Sequence, residues 1–152
     1  MTSKPPAFLG KLVYFFGYPI FKSLIKNTNR AYVLVTYEDQ IILTKNWLGF
    51  QKKWRLPGGG INNGEEPINA VVRELAEELN ISASPESLNC ITPQPINDKL
   101  NYKYWLFEYR TDKKQKFSPD EKEILVAKYF DRNNLKNINL SDEALRALNL
   151  TI

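Results

Sequence analysis

The chain contains no histidine, although it has 152 residues and an otherwise ordinary composition. A Ser-His-Asp triad, a Cys-His pair and a histidine-ligated zinc site are therefore excluded. The single cysteine, Cys90, excludes an intramolecular disulfide and a cysteine-based metal cluster, and we expect it to be a buried, inert thiol. The lack of disulfides fits a reducing compartment, so a cytoplasmic location is expected. Catalysis must then rest on carboxylates, lysine, tyrosine, hydroxyl groups or a metal with oxygen ligands.

Acidic residues are missing from the first thirty positions, which hold five lysines and arginines. Because the net charge of the whole chain is only +4, the rest is close to neutral, which argues against a nucleic-acid partner. Apolar residues recur every three or four positions between residues 8 and 26, but Gly17 and Pro19 favour two short helices over one. We therefore predict a basic amphipathic arm over residues 1–28 and a separate domain over residues 29–152.

The arm contains no apolar run long enough to cross a membrane, since Lys11, Pro19 and Lys22 interrupt it. We expect it to pack on the domain or on a second copy of the chain, so a homodimer is an open alternative. A second interpretation places the arm at a membrane surface, with aromatic side chains inserted and lysines at the headgroups. Packing is favoured over this peripheral membrane contact.

The domain begins with a strand pattern. Two runs of β-branched and apolar residues, 31–37 and 41–44, are separated by a polar turn and predict a hairpin. Further strands are expected at residues 88–92, 102–109 and 123–130.

Helical spacing appears twice. The first helix is predicted over residues 67–79, since a proline suits its first position and Asn80 its left-handed end. Its apolar stripe consists of Ile68, Val71 or Val72, Leu75 and Leu79. A last short helix should begin after Ser141, acting as N-cap, and dock through Leu145 and Leu148.

Three carboxylates, Glu74, Glu77 and Glu78, lie at i, i+3 and i+4 of the first helix, which predicts that they share one face. Such a cluster is destabilising unless cations compensate it. Hard divalent cations with oxygen ligands, Mg²⁺ above all, are the natural compensators.

The loop before this helix combines glycines with cations. Three consecutive glycines, 58–60, allow the backbone to approach a ligand closely. The preceding basic residues Lys52, Lys53 and Arg55 are candidate contacts for substrate phosphates. Carboxylates, glycines and nearby cations together indicate phosphate chemistry. Trp47, Phe50 and Trp54 can stack on a base or pack under the loop.

The run from Gly59 to Ile81 resembles the signature of the Nudix hydrolases, G-x5-E-x7-R-E-U-x-E-E-x-G-U, where U is bulky and apolar. The positions that match at the required spacing are Gly59, Glu65, Arg73, Glu74, Leu75, Glu77, Glu78 and Ile81. Asn80 departs from the pattern, because the family has glycine there; asparagine is the next best residue for a left-handed helix end.

The resemblance implies an α/β fold, a Nudix-type α/β/α sandwich around a mixed β-sheet, here with an N-terminal helical arm. It implies hydrolysis of a nucleoside diphosphate linked to another group, with Mg²⁺ or Mn²⁺ as cofactor. Matching positions make Glu77 and Glu78 metal ligands, Glu74 a further ligand or the general base, and the Gly59 carbonyl a part of the metal shell.

Two more roles are implied by the same resemblance. Glu65 and Arg73 are expected to pair and to brace the loop against the helix. Many family members add a late acid before the last strand, as a ligand or as the base, and the candidates here are Asp120, Glu121 and Glu123.

Three functions follow from these residues. The leading one is a metal-dependent pyrophosphohydrolase acting on a small nucleotide, with nucleotide sugars, ADP-ribose and (deoxy)nucleotides all open as substrates. The first alternative is removal of diphosphate from RNA 5′ ends. The second is a non-catalytic nucleotide-binding domain with the same fold, against which the retention of three mutually repelling acids argues.

Overall fold

A computed structural model describes residues 29–46, 53–97 and 103–151. Its elements in chain order are β1 (Arg30–Tyr37), β2 (Gln40–Asn46), β3 (Gly58–Gly60), α1 (Pro67–Leu79), β4 (Asn89–Cys90), β5 (Ile96–Asn97), β6 (Lys103–Arg110), β7 (Ile124–Asp131) and α2 (Asp142–Leu150). Two single-turn 3-10 helices, Pro85–Ser87 and Arg132–Asn134, lie in connections.

The strands of these ranges form one seven-stranded sheet in the order β4-β6-β1-β2-β7, with β3 paired to β1 and β5 to β6. β1 and β6 run parallel, while the other pairs are antiparallel. The predicted mixed sheet is therefore confirmed.

Alternation along β1 divides the core into two layers. Ala31, Val33 and Val35 belong to a cluster with the apolar side of α1. Tyr32 and Leu34 belong to the cluster that contains α2. With one helix on each face of the sheet, the structure is the expected α/β/α sandwich.

The helix α1 spans the predicted residues. Pro67 occupies the start of the helix, and Asn80 adopts the left-handed conformation with φ 55°. The N–H groups of Asn80 and Ile81 bond to the carbonyls of Ala76 and Leu75, which satisfies the last turn. Of the two valines left open by the pattern, Val71 is the fully buried one.

The prediction for α2 is correct in position and in its N-cap residue, and wrong for Leu145. Ser141 is the N-cap residue, although its Oγ makes no capping bond and is buried without a hydrogen-bond partner. Leu145 does not dock, since it is 47% exposed. The buried residues with helical spacing are Ala144, Ala147 and Leu148, and position 145 lies off that face.

Cys90 is exposed rather than buried, which corrects the expectation of a core thiol. It lies on β4, a two-residue strand at the edge of the sheet, where no further strand among the described residues covers it. Its Sγ donates to the carbonyl of Thr92 at 3.2 Å.

Several predictions lie outside the described residues. They concern the arm over residues 1–28, the phosphate contact Lys52, and the aromatic residues Trp47 and Phe50. Trp54 is described, and it packs edge-to-face on Phe130 with ring centroids 4.5 Å apart. Across the described ranges, no helix combines the length and the apolar character that a membrane crossing requires.

Candidate active site

The glycines of β3 bring the backbone against α1. A Cβ on Gly58, which has φ +133°, would collide with the carbonyl oxygen of Ala31 on the neighbouring strand. A Cβ on Gly59 would lie 2.5 Å from Oε1 of Glu74 and 2.7 Å from its Cδ. Glycine is therefore needed at these positions for β3 to pair with β1 while the carboxylate of Glu74 rests on the strand.

Arg73 ties the loop to the helix. Its Nε and Nη2 donate to the two carboxylate oxygens of Glu65 at 2.9 and 3.0 Å, and Nη2 also donates to the Gly60 carbonyl at 2.8 Å. Its Nη1 donates to Glu74 at 2.9 Å and to Glu77 at 3.0 Å. One guanidinium thus holds three carboxylates, and it lowers the pKa of Glu65 by hydrogen bonding to the ionised form.

The three helix acids occupy different environments. Glu74 and Glu78 are 8% and 3% exposed, whereas the side chain of Glu77 is 59% exposed. Oε2 of Glu78 accepts the N–H of Gly58 at 2.9 Å. The expected shared face therefore resolves into an inward pair, Glu74 and Glu78, and an outer acid bound to Arg73.

Burial perturbs the inward pair electrostatically. Desolvation is the main reason that the pKa of Glu78 is raised to about 8, with the charges of Glu74 and Glu123 adding to it. The Gly58 hydrogen bond and the charge of Arg55 oppose this rise. Burial also raises the pKa of Glu74, against the lowering effect of Arg73. Adjacent carboxyl groups with perturbed pKa values are typical of functional sites.

The late acids lie on a segment that docks on the end of α1. The N–H groups of Ser118 and Asp120 bond to the carbonyls of Leu79 and Glu78, each at 2.9 Å. Oδ1 of Asp120 accepts the N–H of Lys122, a bond within its own turn. Glu123 is the late acid whose charge acts on both Glu74 and Glu78.

The basic residues of the loop reach the first turn of α2. Lys53 pairs with Asp142 at 3.4 Å. Arg55 pairs with Glu143 at 3.1 Å, and its Nη2 donates to the hydroxyl of Tyr32 at 3.1 Å. Local pattern could not have revealed Glu143 and Tyr32, because they lie 88 and 23 positions from Arg55 in the chain.

The donor chemistry of the site fits a hard divalent cation. Glu74 and Glu78 are buried oxygen donors whose ionised forms repel each other, so a cation between them would relieve an existing penalty. The Gly59 backbone lies directly against Glu74. In the described part of the chain no three acidic or cysteine side chains form a ready metal cluster, and Arg73 holds Glu74 and Glu77 toward itself.

Comparison with known families and proteins agrees with this geometry. The model of the NUDIX domain matches residues 26–149. Nudix hydrolase 25 of Arabidopsis thaliana is 30% identical in an alignment over 112 residues, and the match covers 62% of this chain and 61% of that protein. An RNA pyrophosphohydrolase of Brucella anthropi is 35% identical in an alignment over 91 residues, and the match covers 51% of this chain and 48% of that protein. The chain thus spans about half to three fifths of these two relatives.

Solved structures share the fold. The MutT NUDIX hydrolase from Burkholderia pseudomallei superposes with a TM-score of 0.67 at 18% identity, covering 83% of this chain and 98% of that one. The NUDIX domain of Shewanella oneidensis NrtR, solved with ADP ribose, gives a TM-score of 0.70 at 15% identity over 82% of this chain and 86% of that one. The family match across most of the sequence, supported by relatives and by fold, shows that this chain belongs to the Nudix hydrolase family.

Proposed function

We propose that the protein is a divalent-metal-dependent pyrophosphohydrolase that cleaves a nucleoside diphosphate linked to another group. The observation that carries this proposal is the pair of buried carboxylates, Glu74 and Glu78, held against the glycine strand with raised pKa values. A structural domain gains nothing from burying two neighbouring acids, whereas a metal-assisted hydrolase requires them. We assign the activity to residues 29–152 and treat residues 1–28 as a separate arm.

Glu74, Glu77, Glu78 and the Gly59 carbonyl are the groups that would hold Mg²⁺ or Mn²⁺. When bound, such a cation supplies positive charge for the phosphate oxygens and acidifies a water molecule. Glu65 and Arg73 keep the loop and helix in register through their two-point ion pair. Of the late acids Asp120, Glu121 and Glu123, we favour Glu123 because its charge reaches the buried pair.

The reaction is the addition of water across one phosphoric anhydride bond. The water oxygen forms a bond to phosphorus, and the bond between that phosphorus and the bridging oxygen breaks. Glu74 or Glu123 accepts the proton of the water, since no histidine exists to take this role. Lys53 and Arg55 lie on the basic segment before β3 and would contact the phosphates. Nucleotide sugars, ADP-ribose and (deoxy)nucleoside triphosphates are the small nucleotides to be considered.

RNA 5′ ends are the second candidate substrate. It is favoured because curated relatives from Brucella anthropi and Ruthia magnifica carry the name RNA pyrophosphohydrolase, at 35% and 36% identity over part of the chain. The bond that breaks is again a phosphoric anhydride bond. The affinity for RNA, however, would fall steeply as the salt concentration rises, because phosphate contacts release counterions.

The deciding experiment is product release from a substrate panel with Mg²⁺ or Mn²⁺. The panel contains ADP-ribose, nucleotide sugars, dinucleoside polyphosphates, nucleoside triphosphates and a 5′-triphosphorylated RNA. Glu78→Gln is the inactive variant, and Glu108→Gln is its matched control. Glu108 is also a buried glutamate, 8% exposed, but it pairs with Arg110.

We expect turnover of one substrate class by the wild type and by Glu108→Gln, and at least a hundredfold loss in Glu78→Gln. Equal rates in the wild type and in Glu78→Gln would contradict the proposed site. A folded protein that releases no product from any member of the panel would favour a binding domain instead.

A further inference from the structure

A buried clamp fixes the guanidinium of Arg55. Its Nε donates to Oε1 of Glu143 at 3.1 Å, and its Nη2 donates to the Tyr32 hydroxyl at 3.1 Å. Glu143 is 6% exposed and Tyr32 is 1% exposed, whereas the side chain of Arg55 keeps 31% of its surface accessible. The partners are thus buried while the cation itself still faces solvent.

The backbone around Arg55 is fixed as well. Arg55 and Thr44 exchange two backbone hydrogen bonds at 2.9 Å, so the residue is attached to the end of β2. The N–H of Ser141 donates to the carbonyl of Trp54 at 2.9 Å, which brings the start of α2 beside the same segment. Glu143 therefore reaches Arg55 from a helix whose position is set by the main chain.

The guanidinium of Arg55 is close enough to Glu78 for its charge to act on that carboxyl group. Arg55 lies three positions before Gly58, and the N–H of Gly58 binds Glu78. The positive charge of Arg55 opposes the rise of the Glu78 pKa. Lys53, the other described cation of the segment, pairs with Asp142, which is half exposed. An exposed pair of this kind contributes little and holds a side chain weakly.

Arginine suits a fixed phosphate contact better than lysine does. Its planar fork matches phosphate oxygens and loses little further freedom when it is already oriented. A buried partner such as Glu143 is expensive to desolvate, and in a purely structural role apolar residues of similar volume could replace the whole Arg55–Glu143 pair at little cost. The burial of Glu143 is therefore explained if the residue holds the guanidinium of Arg55 in one orientation.

We propose that Arg55 is the principal phosphate contact of the site and that Glu143 and Tyr32 are positioning residues that act through it. This inference rests on the proposed function, since it concerns the substrate of the same site. It distinguishes Arg55 from Lys53, which the sequence presents as equivalent.

The test compares KM and kcat of Arg55→Lys, Glu143→Gln and Tyr32→Phe on the substrate identified by the panel. Glu108→Gln again serves as the control, because it weakens the pair of another buried glutamate with an arginine, the exposed Arg110. We expect KM to rise about tenfold in Arg55→Lys and in Glu143→Gln, and less in Tyr32→Phe, with kcat within about twofold. Glu108→Gln should leave KM unchanged.

A double-variant comparison separates positioning from general stability. In an Arg55→Ala background, Glu143→Gln should raise KM no further, because its effect passes through the missing guanidinium. Independent, multiplying effects would overturn the positioning role. An unchanged KM in Arg55→Lys would overturn the phosphate contact.

Binding measurements keep the inference testable if no substrate is turned over. The affinity for ADP with Mg²⁺, measured by calorimetry, should then fall about tenfold in both Arg55→Lys and Glu143→Gln. This result would support the clamp while the proposed hydrolysis fails. Equal ADP affinity in the wild type and the variants, or no ADP binding by the wild type, would refute the proposal that the positioned Arg55 contacts phosphate.

Discussion

Ionisation of the Glu78 carboxyl group should make the stability of the metal-free protein depend on pH near neutrality, a range in which histidine is usually the side chain that titrates. The residue is 3% exposed, and burial raises the pKa of its carboxyl group from the ordinary 4.5 to about 8. A raised pKa means that the folded state holds the proton more tightly than the unfolded chain does. The associated stability is complete below pH 4.5 and is lost as the pH rises through 8.

The size of the effect follows from the two pKa values. Each unit of difference corresponds to about 1.4 kcal/mol, so full ionisation of Glu78 costs about 5 kcal/mol. Roughly half of that loss falls between pH 6 and pH 9, a decrease of about 2–3 kcal/mol in the free energy of unfolding. This is a large part of the roughly 5–15 kcal/mol that stabilises a domain.

The assay is urea unfolding in EDTA at pH 6, 7.5 and 9, followed by circular dichroism. Glu78→Gln should lose most of the slope, because its amide does not ionise; Glu74, whose pKa is also raised by burial, contributes in the same direction and remains. Glu65→Gln is the control, since the pKa of Glu65 is lowered by Arg73 and the group stays ionised throughout this range. The absence of histidine removes the side chain that most often titrates in this range.

The reasoning would be refuted if the wild type kept a constant stability from pH 6 to pH 9, or if Glu78→Gln showed the same slope as the wild type. Added Mg²⁺ provides an independent check. Because it binds the ionised carboxylate, it should stabilise the protein more at pH 9 than at pH 6.

Two further predictions concern the signature segment. Gly59→Ala should lower kcat at least tenfold, because the new Cβ would lie 2.5 Å from the Glu74 carboxylate and displace it. Gly60→Ala is the control, since nothing lies within 4 Å of its added Cβ. Equal rates of the two variants would contradict the steric argument. Asn80→Ala should lower the free energy of unfolding in urea by about 1 kcal/mol, because residue 80 has the left-handed φ of 55° that alanine disfavours. Asn80→Gly should be neutral or stabilising. An unchanged stability of Asn80→Ala would show that the helix end relaxes.

The sequence predicts best what is encoded locally. The bounds of α1 and its left-handed end at Asn80 follow from a proline, an apolar stripe and a capping residue within one short segment. The hairpin of β1 and β2 is visible for the same reason, since its register depends on adjacent residues. The prediction of a mixed sheet within a sandwich rests on the family resemblance and not on any periodicity of the sequence.

Long-range contacts account for what local patterns missed. Glu78 is separated from the exposed Glu77 by a contact with the glycine strand, because the N–H of Gly58, 20 positions away in the chain, binds Glu78. The exposure of Cys90 depends on β4 being an edge strand, and that of Leu145 on how α2 meets the sheet. Each outcome is set by which elements become neighbours.

The acid cluster itself shows why a site cannot be derived from local stability rules. Glu74 and Glu78 are buried side by side although both pay for desolvation and repel each other. Arg73 offsets part of this penalty for Glu74, whereas for Glu78 the Gly58 N–H and the charge of Arg55 offset only part of it. A sequence selected only for folding would not keep this incompletely compensated carboxyl group. The residual penalty is therefore best explained by a positive charge that the protein acquires when it functions.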